Sequence, residues 1–456
     1  MADIRYGLAS YRRDNGNMPE FRVVNMLVEK TPSASEGVTL LSQPGLILQA
    51  TRGAGPIQGL FLRSGVLNGD IFTISGGDLY RGNALLGTIP GTGPVSWAAS
   101  AIELVVTRGG AAYSYNGTNL VAIAFPDGAN VTAVEFVGGL FIFARQGTHR
   151  FYWSAVLDAR TIDGLDYASA ESSPDRLLDI KAIGDNLYLL GQSSIELWVL
   201  TGELNLPFNR VTQRIFSKGV IATACAEEVD NTLYYVGHDD TVYAIGDVPQ
   251  RISDHGIEER IRKSATISCF SYTYEGHAIF VVRLANGTWC YDANTGQWFE
   301  RQSYGNDNWR AQCATMFEDI PVFGDDTTGT VWEFGGWLDG DVSHVRTFTA
   351  AFQIKGGAIP VDVIEVDSNT GATDDLIGIG ADPHLEMRSS RDAGRTWSAW
   401  RTTRLGAQGE GRTRARYRRC GYFDTPGALF EFRCSDPAPL RISAVRVNEA
   451  GGGRAR

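Results

Sequence analysis

A chain of 456 residues is too long for one small core and calls for a large domain with a smaller one, or a closed repeat. With 43% hydrophobic and 20% charged residues it is neither a disordered tail, a coiled coil nor a collagen. A net charge of −11 argues against a protein that wraps nucleic acid through many phosphate contacts.

The charge is unevenly placed. From Glu386 onward there are 15 arginines against 7 acidic residues, about +8, while the first 385 residues carry about −19. The opening Met1-Ala2-Asp3-Ile4-Arg5-Tyr6-Gly7 holds no apolar signal-peptide core. No run approaches the roughly 18 apolar residues that span a bilayer. The six cysteines (Cys225, Cys269, Cys290, Cys313, Cys420 and Cys434) form no Cys-x-x-Cys pair. They read as free thiols of a chain made in a reducing cytoplasm. The sequons at Asn116, Asn130 and Asn286 then carry no information.

In chain order, residues 1–60 read as an N-terminal arm punctuated by Gly and Pro and ending near Gly59. Beyond the arm the pattern is strand, turn, strand, with helical periodicity hinted at only from Ile257 to Ile261. The class is all-β. Hairpins recur at Gly138-Gly139-Leu140-Phe141, Gly184-Asp185-Asn186-Leu187, Asp230-Asn231-Thr232-Leu233, Glu275-Gly276-His277-Ala278 and Glu318-Asp319-Ile320-Pro321. The aromatics that close them stand at Phe151, Trp198, Tyr243, Trp289 and Trp332, at spacings of 47, 45, 46 and 43. A period of about 40–50 residues in an all-β chain marks a propeller blade of four short strands. Two earlier hairpins, at Gly76-Gly77 and Gly109-Gly110, break the period. Residues 61–336 make six units of 46, so six blades are favoured, with seven as the alternative. Residues 337–456 lose the period and read as a C-terminal β domain with an Arg-rich strand and the flexible tail Gly451–Arg456.

Catalytic patterns are missing: no phosphate loop, no His-Glu-x-x-His and no Gly-x-Ser-x-Gly. No catalytic, cofactor or metal residue is assigned. Ser390-Arg391-Asp392-Ala393-Gly394-Arg395-Thr396-Trp397 fits the Asp-box pattern of sialidases. That suggests a sialidase-like glycan hydrolase as the rival function, although the motif is itself a turn in which Asp accepts backbone N–H bonds, and hairpin structure is the preferred reading. His238-Asp239-Asp240 could be drawn as a metal site and reads better as a polar turn. The run Arg412-Thr413-Arg414-Ala415-Arg416-Tyr417-Arg418-Arg419 puts alternate arginines on one strand face. It reads either as a guarded edge strand or as a docking face for an acidic partner. Arg414, Arg416 and Arg418 are the docking candidates.

Three ordered segments carry a resemblance. The first is Ser173-Pro174-Asp175, Ile195-Glu196-Leu197-Trp198 and Pro207-Phe208-Asn209-Arg210. The second is Val242-Tyr243-Ala244-Ile245-Gly246-Asp247, Arg251-Ile252-Ser253 and Ile257-Glu258. The third is Gly276-His277, Trp289-Cys290-Tyr291-Asp292, Gly296 and Trp298. With these the chain resembles the packaged-DNA stabilisation, or tail nozzle, proteins of short-tailed bacteriophages. The likeness spans most of the chain beyond Pro174 and is loose before it. It implies a six-bladed propeller subunit of a homohexamer, built into the virion tail after synthesis in the host cytoplasm. There it docks below the portal and its adaptor beside tail spike, fibre or needle proteins. It encloses double-stranded DNA without reading its sequence, retains the genome and passes it at ejection. The matched residues are architectural in that family, and no enzymatic activity follows from them.

Overall fold

The computed structural model describes residues 2–12, 20–31, 37–170, 175–203, 206–354, 356–373, 375–425 and 427–449. Ser173 and Pro174 of the first segment and the tail from Gly451 lie outside the described residues.

The strand-turn-strand pattern folds as four-stranded antiparallel sheets, each adding its strands outward in chain order. Blade 1 comprises Ile57–Phe61, Phe72–Ser75, Asp78–Arg81 and Ala84–Thr88. Blade 2 comprises Ser96–Ala99, Leu104–Arg108, Ala111–Tyr115 and Leu120–Ala122. Blade 3 has Val131–Val137, Leu140–Arg145, Arg150–Trp153 and Tyr167–Ser169. Blade 4 has Leu177–Ile183, Asn186–Gly191, Ile195–Leu200 and Phe208–Phe216. Blade 5 has Ala226–Val229, Thr232–Val236, Val242–Ile245 and Pro249–Arg251. Blade 6 has Ile267–Tyr274, His277–Leu284, Gly287–Asp292 and Gln297–Arg301. First strands of successive blades pack on one another, so they line the centre of a ring.

All five period-marking aromatics fall on the third strand of their blade. Turn chemistry sets the hairpins: Asp230-Asn231 and Glu318-Asp319 both take positive φ, the geometry that matches the twist of the paired strands.

Six blades are thus made of four consecutive strands. The ring is completed by a composite seventh, in which Ala311–Phe317, Ile320–Asp325 and Thr330–Phe334 take their outer strand, Leu46–Thr51, from near the start of the chain. The two counts weighed from the sequence differ by this blade, which no linear repeat displays. Blades 1 and 2 advance by only 39 and 35 residues, against 41–49 for the others, because their loops are short. Their Gly76 and Gly109 turns are also second hairpins rather than first ones.

The first 60 residues do not stand apart as an arm. Ala2–Tyr6 pairs with Arg346–Gln353 and Arg441–Glu449, and Val38–Ser42 joins Met26–Lys30 to Arg441–Glu449. Val23–Val24 bridges the domains, parallel to Gln297–Arg301 of blade 6 and antiparallel to Arg346–Gln353. Short β-branched runs between Gly and Pro look like a free arm in sequence because their partners lie hundreds of residues away. Ile57–Phe61 already belongs to blade 1, so the boundary expected at residue 61 cuts a strand.

The C-terminal strands are Arg346–Gln353, Ile359–Ser368, His384–Ser390, Arg401–Arg404, Ala415–Phe423, Gly427–Cys434 and Arg441–Glu449. Their interior is continuous with that of blades 6 and 7: one apolar cluster includes Ile4, Val23, Leu46, Tyr272, Trp309, Phe323, Phe334, Phe348, Ile364 and Phe432. Several polar groups at the junction are matched. The Asn25 amide donates to the carbonyls of Gln302 and Val345 at 3.0 and 2.8 Å. Buried Glu300 takes Arg22 and Arg12 at 3.2 and 3.3 Å. Burial works to raise the pKa of Glu300, but the two guanidiniums outweigh it and hold the carboxylate below its usual range.

The ring closure has little slack. Arg52 N donates to Gly329 O at 2.6 Å, and a Cβ on Gly329 would stand 2.3 Å from the carbonyl oxygens of Arg52 and Gly53. Gly329→Ala is therefore expected to cost about 1–3 kcal/mol by forcing the seam apart. Urea unfolding reads this as a lowered midpoint, and an unchanged midpoint would show the seam to be loose.

Candidate assembly surfaces

The family-motif residues gather into separate joints. The largest ties blade 5 to blade 6. Arg251, at the end of blade 5, donates from Nε and Nη2 to the two oxygens of Glu258 at 2.7 and 2.8 Å. Ser253 Oγ donates to the same carboxylate at 2.8 Å and accepts from Val242 N at 3.0 Å. Glu258 lies in the helix His255–Lys263, which is capped by Asp254 accepting from Gly256 N and Ile257 N. Ile257 and Ile261 bury one face of that helix. The carbonyl of Ile252 accepts from Trp298 Nε1 of blade 6 at 2.9 Å. Arg251 and Ser253 thus hold the helix that follows blade 5 through Glu258, and Ile252 between them ties it to blade 6.

A second joint stiffens blade 6. Asp292 Oδ2 takes His277 Nδ1 and Thr295 Oγ1, both at 2.7 Å, and Oδ1 takes Asn294 N at 2.9 Å. Gly276 and Gly296 hold positive φ at the two turns beside it. Trp289 is buried, and Tyr291 packs on Trp298 with centroids 5.1 Å apart. In blade 4 the Pro207 carbonyl accepts from Thr201 N at 2.8 Å. Buried Phe208 lies edge-on to Phe151 and Trp153, which belong to blade 3. Arg210 reaches Glu196, which also takes Trp198 Nε1 at 2.9 Å.

The arginine run keeps its alternation: Arg414, Arg416 and Arg418 are exposed while Ala415 and Tyr417 are buried. Its strand, Ala415–Phe423, pairs on one side only, with Ile359–Ser368, and so is a sheet edge. The three docking candidates are not equivalent. Arg414, at 2.8 Å, and Arg416 both clasp Glu365 on the adjacent strand. Arg418 has no carboxylate partner among the described residues, and the same holds for Arg412, Arg419 and Arg391. Glu365 lies 49 and 51 positions from the arginines it holds, which is why sequence could not show that they were taken.

Both singled-out turns are held by their own side chains. In the Asp box, Asp392 accepts from Thr396 N and Oγ1 at 2.8 and 2.6 Å. Those bonds hold its pKa down at about 2. Trp397 carries the Arg388 guanidinium 4.5 Å from its ring centre, and Arg388 pairs with Glu431. This is a turn on the C-terminal domain, and nothing around it supports glycan hydrolysis. Asp239 is engaged by Lys218 at 2.6 Å and Tyr243 at 2.8 Å, and Asp240 by Arg262. Among the described residues no group of three or more metal-ligating side chains is assembled.

Sequence reasoning passed over two charged sets. Glu135, Lys181 and Glu227 sit on the innermost strands of blades 3, 4 and 5, one every 46 residues, with Asp179 beside them. Burial pushes Glu135 up to about 8, and Glu227 and Asp179 are raised as well. Burial opposes the charge on Lys181, but the three carboxylates outweigh it and raise its pKa. The repeat period itself was the signal that could have found this set. The second set is the acidic residues of the first hairpin turns, Asp185, Asp230, Glu275, Glu318 and Asp319. They read as turn formers until the ring places them at one end.

These features define a propeller–sandwich protein made of inter-blade joints and charged outer surfaces. The sequence matches the family described as Bacteriophage P22 Gp10, beta-propeller, over residues 4–340, and Bacteriophage P22 Gp10, beta-sandwich, over residues 344–450. The chain belongs to the bacteriophage P22 Gp10 family. It is 25% identical over 251 residues to the tail hub protein gp10 of Salmonella phage P22, an alignment covering 50% of this chain and 53% of the relative. The match thus spans about half the length of that curated relative. Among solved structures, the computationally designed Ika8 protein is 14% identical, with a TM-score of 0.41 over 73% of this chain and 98% of its own. The Myceliophteria thermophila Cps50 (Swd1) β-propeller domain is 10% identical, with a TM-score of 0.43 over 64% and 100%. Likenesses at these scores carry no argument.

The His277–Asp292 bond makes stability pH-dependent in a stated direction. The hydrogen bond to Asp292 raises the His277 pKa. Burial opposes the charge on Asp292, but His277 and Thr295 outweigh it and lower its pKa. The histidine contribution is complete below its unfolded value of about 6.5 and fades as pH rises through the raised folded value. The aspartate contribution is present above about 3.9 and fades as pH falls through the lowered one. His277→Gln should therefore lower the urea midpoint most near about pH 5.5 and least near about pH 8.5. An equal loss at both would show that the pair is not charged.

Proposed function

We propose that this chain is a structural subunit of a phage tail hub, carried in the virion. The observation that carries the reading is the family match across both domains, residues 4–340 and 344–450. The relative named a tail hub protein supports it at 25% identity. In the finer reading the subunit forms a homohexamer below the portal and its adaptor and contacts spike, fibre or needle proteins. It extends and closes the DNA channel, holding the genome until ejection.

The electrostatics support that role. Six copies would total −66, and an acidic body would let DNA pass without holding its phosphates. The basic edge of the sandwich suits an acidic protein partner, where complementary charge sets register and encounter rate. Arg418 is the docking candidate with a free guanidinium, and Arg414 and Arg416 present what charge Glu365 leaves them. The reading assigns no cofactor and no catalytic step.

Cryo-electron microscopy of particles purified from expressing cells should show propeller density beneath the portal. In the same particles, Arg412→Glu, Arg418→Glu and Arg419→Glu together should cut incorporation by about tenfold or more at unchanged thermal stability. A chain found only in the soluble lysate would sink the reading.

A further inference from the structure

We infer that the basic sandwich edge of one copy seats on the acidic hairpin turns of another, so that the chain joins itself head to tail. Two surfaces carry this. The first is the side of Ala415–Phe423 away from Ile359–Ser368, where no strand pairs with it and Arg401 Nη2 reaches the Arg418 carbonyl. Along it stand Arg412, Arg418 and Arg419, with Tyr422 66% exposed and Arg391 packed over Phe423. An open strand edge invites pairing with another chain unless something covers or guards it.

The second surface is the end of the ring formed by the first hairpins of blades 4–7. It presents Asp185, Glu228, Asp230, Glu275, Glu318 and Asp319, all exposed and none in an ion pair among the described residues. Glu275 and Glu318 sit at φ 47° and 49°, a region where glutamate is disfavoured and glycine or asparagine is at ease. Blade 3 makes the corresponding turn with Gly138-Gly139. The carboxylates at Glu275 and Glu318 are therefore kept at a conformational cost that the turn itself does not require.

The occupant is set by charge. Among the described residues Arg391, Arg412, Arg418 and Arg419 of the edge and the six carboxylates of the ring end are in no ion pair, and none joins the two sets within one chain. A contact between unlike surfaces of identical subunits is heterologous, and its repetition closes a ring or extends a filament. The inference deepens the ring reading above and rests on it only for the choice of a closed ring.

The test is sedimentation velocity of the purified full chain. At low ionic strength the wild type should associate with rising concentration, and about 1 M salt should return it to monomer. Crown reversal (Asp185→Lys, Asp230→Lys, Glu275→Lys) and edge reversal (Arg412→Glu, Arg418→Glu, Arg419→Glu) should each weaken self-association by about tenfold or more. Mixing the two variants should restore association, since each then offers the surface the other lacks, and that recovery excludes misfolding as the cause of the losses. A wild type monomeric at low ionic strength, association that survives either reversal, or a mixture that stays dissociated overturns the inference. So does an edge variant that self-associates normally yet is left out of particles, because the edge then serves a different partner. Self-association without particle incorporation would leave this contact standing and fail the hub reading instead.

Discussion

The pairing of Leu46–Thr51 with Thr330–Phe334 is the interaction on which the rest of the molecule depends. A stack of twisted sheets buries its faces only when each has neighbours on both sides, so an open stack would expose two apolar faces. Borrowing the outer strand of blade 7 from residues 46–51 closes the ring. It also fixes where the preceding strands must run, from the seam back along the side of blades 6 and 7. Those strands then become part of the sandwich, and the two domains share one core rather than a hinge.

The polar residues at the joints work in the same direction. The Glu258 carboxylate gathers Arg251 Nε and Nη2 and Ser253 Oγ, with His255 Nδ1 3.2 Å from Oε2. His277 and Asp292 tie the start of one strand to the end of another across a blade. Such contacts add modest stability each, but they fix the register and spacing of the blades, and with them the placement of the acidic turns relative to the sandwich edge.

Much of this architecture was legible in the sequence, and the limits have physical causes. Period and strand alternation are local, so the aromatics at 151, 198, 243, 289 and 332 located the third strand of five blades. Blade 7 was half hidden because its fourth strand is not next to its third in the chain. The supposed arm was misread for the same reason: Ala2–Tyr6 and Val23-Val24 have partners beyond residue 296, and pairing over that separation leaves no local mark. The motif residues stand out in the sequence, though a motif does not say what its side chains hold. At the arginine run, alternation and edge position could be read from spacing, whereas the capture of Arg414 and Arg416 by Glu365 could not.

The composite closure also sets the order of events in synthesis. Residues 2–6, 23–24 and 46–51 leave the ribosome hundreds of residues ahead of the strands they pair with, and wait for them while blades 1–6 form. Long-range pairing of this kind is slow and comes late, so the ring seals only after residue 334 has emerged, and the sandwich after residue 449. The sandwich edge therefore reaches its final geometry in the last step of folding, whereas the acidic turns are set by hairpins within their own blades. A chain interrupted partway through synthesis has an unsealed propeller and no sandwich edge.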